Sequence, residues 1–237
     1  MNPDTEIAYE PHVGESRQYW RDIVLGINDG LVSMFLLVAG VVGGGLDRRQ
    51  VLLTAIAGAI AGAVSMGSGE YLATKSQTEV LESEIALEKT NIEHFRNREV
   101  AQLYEMFRDV GISDDELEAT VRAFSKNDQT LLNAMKVLEF GVVDSEVRSP
   151  IKAMLMSGGL FLAGSIPSVV PFFFALTPHV ALAIAGGLSA MALFAVGIVK
   201  TFVTRTKPFA AGMENLVIAG LGGLVAYWVG RLVGVAL

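Results

Sequence analysis

The stretch VLLTAIAGAIAGAVSMGSGEYLATKSQTEVLESEIALEKTNIEHFRNREVAQLYEMF, residues 51–107, changes character half-way along without a break. Its first part, residues 51–73, is apolar and long enough to cross a bilayer, which takes roughly 20 residues. Its second part is dense in charge. No proline occurs between Pro11 and Pro150, so nothing stops one helix from running out of the membrane into water. A chain built this way is an all-α integral membrane protein with a soluble helical insert.

Four other stretches qualify as spans: about 22–46, 151–176, 180–203 and 209–236. DRRQ (47–50), TPH (177–179) and TRTKP (204–208) are the turns between consecutive spans. The composition agrees, with 51% hydrophobic and only 18% charged residues, against about 25% charged in soluble domains. Between Gln77 and Ser149 lie 16 acidic and 8 basic residues, so this segment accounts for the whole net charge of −7. The expected division is an N-terminal segment 1–21, spans one and two in 22–75, an acidic helical domain in 76–149, and spans three to five in 150–237. Lys and Arg set orientation. Arg17, Arg21, Lys75, Lys152, Lys200, Arg205 and Lys207 mark one side, against Arg48, Arg49 and Arg231 on the other. The N-terminus and the insert are therefore predicted to be cytoplasmic. The acidic, polar N-terminus is neither a signal peptide nor a transit peptide.

Within the insert, Gly111 ends the long helix and SDDE (113–116) reads as a capping box opening the next. A third helix is expected from about Asp128 to Phe140, stopped by Gly141. In the spans, Gly40 and Gly44, Gly58 and Gly62, and Gly230 and Gly234 have the GxxxG spacing that lets helices approach closely. They serve either packing inside one protomer or a dimer seam, the former being favoured. PSVVP (167–171) is expected to distort span three and free carbonyls for a cavity.

A charged carboxylate at mid-bilayer costs about 2.5–3.5 kcal/mol, which makes an intramembrane acid a functional candidate. Asp29 is such a residue, a helix cap being the alternative. In span two, Met66 and Glu70 lie one turn apart on one face. A carboxylate and a thioether on neighbouring spans offer one hard and one soft ligand to a borderline cation such as Fe²⁺. In the insert, a straight helix over 84–105 places Glu84, Glu88, Asn91, Glu99, Gln102 and Glu105 within an arc of about 120°. A solvated face explains the same arc. Met135 and Glu139 add a second carboxylate–thioether pair at i and i+4. Such oxygen-rich ligands with one sulfur suit Fe²⁺, Mn²⁺, Co²⁺ or Zn²⁺ better than Ca²⁺. The chain has no cysteine, which removes thiolate sites and disulfides. His94 follows Asn91 rather than a glutamate, so the Glu-x-x-His pairs of di-iron bundles are absent. No Ser-His-Asp arrangement, phosphate loop or basic nucleic-acid patch is present. The chain reads as neither an enzyme nor a nucleic-acid binder, and no prosthetic group is expected.

RDIVLGINDGLVSMFLLVAG (21–40), GAVSMGSGEYLATKS (62–76), LEFG (138–141), GSIPSVVPFFF (164–174) and VKTFVTRTKPFAAGMENLVIAGLGG (199–223) occur here in one order. In these the chain resembles the vacuolar iron transporter family, yeast iron and manganese transporters included, from about residue 19 to its end. The resemblance implies a five-span homodimer that exports Fe²⁺, and often Mn²⁺, from the cytosol in exchange for protons. It also implies that Asp29 and Met66 line the path, and that Glu88, Glu99, Met135 and Glu139 of the cytoplasmic insert bind metal. Three positions depart from the family pattern. Gly58 stands where members have a span-two glutamate, and Asn91 and Gln102 replace two insert glutamates. The resemblance thus implies one fewer membrane carboxylate to titrate, with Glu70 as the candidate substitute. It also implies weaker or fewer ions in the insert, where Glu84 and Glu105 are the candidate replacements. A prokaryotic cell membrane is the expected location rather than a vacuole. A metal sensor or buffer without transport is the alternative reading.

Overall fold

The computed structural model describes residues 16–141, 148–204 and 207–236. Most of the expected N-terminal segment, part of the insert's last loop and the middle of the 204–208 turn lie outside these. Among the described residues there are seven α-helices and no strand. They are α1 (Ser16–Gly43), α2 (Arg48–Val110), α3 (Asp114–Phe124), α4 (Asp128–Leu138), α5 (Pro150–Val169), α6 (Pro178–Thr204) and α7 (Pro208–Ala236). Five of them, α1, α2, α5, α6 and α7, are long and apolar enough to cross a membrane. The run expected to be unbroken over residues 51–107 lies within α2, a 63-residue helix by its hydrogen bonding that is interrupted by non-helical backbone at Phe95. The chain forms two compact units, one of residues up to Glu70 and from Ile151 on, the other Tyr71–Pro150.

The first unit is held by close backbone approach. A methyl group at Gly230 would overlap the Gly40 carbonyl, and one at Gly234 the Gly44 carbonyl. Gly58 and Gly62 likewise face Leu37 and Phe161 of the same protomer. All three GxxxG pairs therefore make packing contacts within one protomer: the missing Cβ atoms let α7 reach the α1 main chain, and on α2 they make room for Leu37 and Phe161. Gly230→Val is expected to lower the melting temperature sharply in detergent. Gly220→Val, with open space around its Cα, is expected to leave it within a few degrees. Around these contacts Met34, Val38, Val42, Val51, Ala55, Phe161 and Phe172 form a buried apolar core.

The prolines act at the end of α5. Pro167 lies inside the helix, which tightens to a 3-10 turn at Val170–Phe173. The carbonyls at the end of this turn, which are helix-end carbonyls and not those four residues before each proline, meet a cation. Arg48 Nη1 donates to Phe172 O (3.2 Å), Phe173 O (3.4 Å) and Phe174 O (3.3 Å), placing a cation at the negative end of the helix dipole. Arg48→Met leaves three carbonyls without that donor, an expected loss of about 1.5–3 kcal/mol, readable as a lower melting temperature at unchanged helicity.

The second unit packs α2 against α3 and α4 around Ile92, Leu103, Phe107, Leu117, Val121, Leu131 and Met135. Gly111 (φ +102°) ends α2 as expected, in the left-handed region that favours glycine, whereas α4 stops at Leu138 with Glu139 as its C-cap, before the left-handed Gly141 (φ +64°) expected to stop it. The capping box does not close. Ser113 is the N-cap of α3, yet its hydroxyl donates to the Glu116 carboxylate (3.0 Å) rather than accepting a backbone N–H. Asn127 caps α4 instead, accepting from Thr130 N (2.9 Å). A break absent from the straight-helix reading lies in α2. Phe95 has φ −129° and ψ 33°.

Candidate functional site

In the second unit, the break at Phe95 falls between Glu88 and Glu99. Glu88 lies one helical turn before Ile92 and Glu99 one turn before Leu103, so burying those two core residues draws both acids inward. Each is only 4% exposed. Glu88 Oε1 and Glu99 Oε2 are buried without a hydrogen-bond partner among the described residues, which costs more for a charged oxygen than for any other buried polar group. Burial, then Glu99, then Glu139 push the Glu88 carboxyl up to about 7. Burial and Glu139 also raise Glu99, opposed by Arg98. The repulsion shows Glu139 of α4 facing the two α2 acids, and Gln102 Nε2 donates to Glu139 Oε1 (3.2 Å). Met135, one turn before Glu139, is fully buried in the adjoining core. Asn91 and Gln102 are half-buried, whereas Glu84 and Glu105 point to solvent.

Of the residues singled out in the insert, the structure thus gathers Glu88, Glu99 and Glu139, with Gln102 bonded to the last. Among the described residues, no three histidine or acidic side chains stand close enough to hold one ion as placed. The chemistry of the cluster is nevertheless cation-seeking. Its acids repel one another and its buried oxygens lack donors among the described residues, strain that a bound cation or a proton would relieve.

In the first unit, Asp29 is exposed on α1, and its Oδ1 accepts from Ser33 Oγ at 2.6 Å. Its neighbour Asn28 has a buried, unpartnered Oδ1. Met66 and Glu70 are half-buried on α2, and Met66 packs on the apolar core. At Gly58 a Cβ would overlap Leu37, with the Met34 sulfur 3.7 Å away. Two apolar side chains thus fill the space a larger residue would need. Ser33 was missed in the sequence, although its i+4 spacing from Asp29 is the signal for that bond. The break at Phe95 was missed too. Thr90 Oγ1 donates to Ala86 O (3.0 Å) and His94 Nδ1 to Thr90 O (2.9 Å), side-chain bonds to the helix ladder of the kind that bend helices.

A model of the VIT family matches residues 20–231. Vacuolar iron transporter 1 of Oryza sativa subsp. japonica is 29% identical over 213 residues, covering 90% of this chain and 84% of its own length. The vacuolar iron transporter of Toxoplasma gondii is 30% identical over 232 residues, covering 94% and 77%. Protein CCC1 of Saccharomyces cerevisiae is 27% identical over 223 residues, covering 90% and 68%.

Proposed function

The chain belongs to the VIT family, and from that membership we propose that it is a multi-pass membrane transporter, not an enzyme, that moves Fe²⁺ out of the cytosol. Mn²⁺ is the second substrate, because it accepts the same ligands; Zn²⁺ and Co²⁺ are weaker candidates on the same grounds. Protons move the other way. The observation that carries the reading is the pair of buried, donor-less carboxylates at Glu88 and Glu99. A soluble structural domain has no use for two such oxygens, whereas a unit that gathers dications does. On this reading the second unit is cytoplasmic and raises the ion concentration at the mouth of the path. Met135, Glu139, Asn91 and Gln102 complete its ligands, while Glu84 and Glu105, exposed to solvent, attract ions at longer range.

Asp29 and Met66 then take the ion within the spans, and Glu70 passes it from the cytoplasmic side. Asp29 is exposed on an apolar helix with one serine as its hydrogen-bond partner, a costly surface to turn toward lipid. A second copy covering that face resolves the cost, which supports a homodimer with its path along α1. Protonation of Asp29 from the far side weakens the site and releases the ion. The host membrane on this reading is a prokaryotic cell membrane.

Uptake of Fe²⁺ and Mn²⁺ into proteoliposomes, with and without an imposed pH gradient, tests this. Uptake accelerated by the gradient is expected. Ion binding by the protein without any flux instead identifies a membrane-anchored sensor or buffer.

A further inference from the structure

The second unit holds its acids apart. Three of them feel one another's charge, yet no three ligands converge on one point among the described residues. An ion can be held only if something moves. Glu139 is exposed and bonded to Gln102, and Met135 is fixed in the core, so the adjustable part lies in α2. There the helix is broken at Phe95, seven residues after Glu88 and four before Glu99. Three features leave that break free to change. The Phe95 side chain is 62% exposed, so the core does not clamp it. The carbonyls of the two turns before it are shared with Thr90 and His94 side chains, which weakens the main-chain ladder at that point. Of the two carboxylates on either side, Glu88 Oε1 and Glu99 Oε2 are buried with no donor among the described residues.

We infer that Phe95 is an ion-operated hinge: a divalent cation bound between Glu88 and Glu99 draws the two segments of α2 together and sets their angle. This rests on the ion-gathering role proposed for the second unit. It adds that occupancy is converted into a change of shape, because a cation bridging two segments joined at a break stabilises whichever angle gives it its ligands. The exposed ends of those segments then report whether the unit is loaded.

The chain lacks cysteine, so a label pair can be introduced cleanly into the full-length protein. Ser76→Cys and Asp109→Cys place spin labels at two exposed positions, roughly 50 Å apart along a straight helix. Zn²⁺, which is diamagnetic, is the probe, and equilibrium dialysis measures its binding to the same samples. The expected result is a label separation that shifts by several ångströms and narrows on Zn²⁺ addition. The shift should disappear when Glu88→Gln and Glu99→Gln are added to the labelled protein. Zn²⁺ bound with an unchanged separation overturns the hinge and leaves the ion-gathering role standing. A shift that survives in the double variant also overturns it, since the ion then acts elsewhere. Absence of Zn²⁺ binding overturns both.

Discussion

Asp29→Asn is expected to abolish ion uptake in proteoliposomes, by at least about a hundredfold, while the protein purifies and melts as before. The carboxamide keeps an oxygen to accept from Ser33 Oγ, so the hydrogen bond seen at 2.6 Å survives. What it loses is the charge that attracts a dication and the proton that displaces it. A hundredfold change is about 2.7 kcal/mol, within reach of one charged interaction in a low-dielectric site. Met66→Leu removes only the soft ligand. It should leave measurable flux and shift preference toward Mn²⁺ over Fe²⁺, since Mn²⁺ depends less on sulfur. Wild-type-like uptake by Asp29→Asn would remove Asp29 from the path and return it to the role of a helix residue bonded to Ser33.

The second large effect belongs to Glu88. Its folded-state carboxyl is raised from 4.5 to about 7 by burial and by Glu99 and Glu139. A raised acid binds its proton more tightly in the folded state, so the contribution of Glu88 to the stability of the metal-free second unit is greatest below about pH 4.5. That contribution is lost as the pH climbs through 7. The loss has a ceiling of about 3 kcal/mol, and solvent around the exposed Glu139 screens part of it. Glu88→Gln keeps the shape without the charge. Hydrogen exchange of α2 to α4 in the full-length protein should therefore show Glu88→Gln better protected than wild type at pH 8, and indistinguishable at pH 4.5. The same variant should bind Mn²⁺ about ten- to a hundredfold more weakly, because a charged ligand is gone. Protection that does not change between pH 4.5 and pH 8 in the wild type would contradict the burial described for this carboxylate.

The spans and the length of α2 were legible because they depend on composition and on the absence of proline, which one reads directly. Gly111 was legible for a similar reason, since a left-handed helix end leaves few choices of residue. The insert's site was only half legible. A straight helix puts Glu84, Glu88, Glu99 and Glu105 on one arc, and nothing local separates the buried pair from the exposed pair. The docking of α3 and α4 against Ile92 and Leu103 makes that choice, and it is a tertiary event. The break at Phe95 had the same origin, with Thr90 and His94 as a faint local sign. Ser113 and Glu116 carried a capping signal but bonded to each other, two partners that the motif assigns to the backbone. The distortion of α5 near Pro167 was legible from the prolines. The donor to the carbonyls beyond it, Arg48, lies 124 residues away from Phe172, beyond any local pattern.

The glycine contacts also decide what is able to move. Gly230 sets α7 on α1, Gly30 and Gly164 set α1 on α5, Gly158 sets α5 on α2, and Gly197 and Gly212 set α6 on α7. Main chain meets main chain at each crossing, so sliding any one span past its neighbour drives a carbonyl into a backbone. These contacts resist independent sliding of the spans within one protomer. If Asp29 is to face first one side of the membrane and then the other in the proposed homodimer, displacement between protomers is the motion these contacts leave open. Cross-linking α1 to α7 within a protomer should accordingly leave uptake running, and cross-linking one protomer's α1 to its partner should stop it.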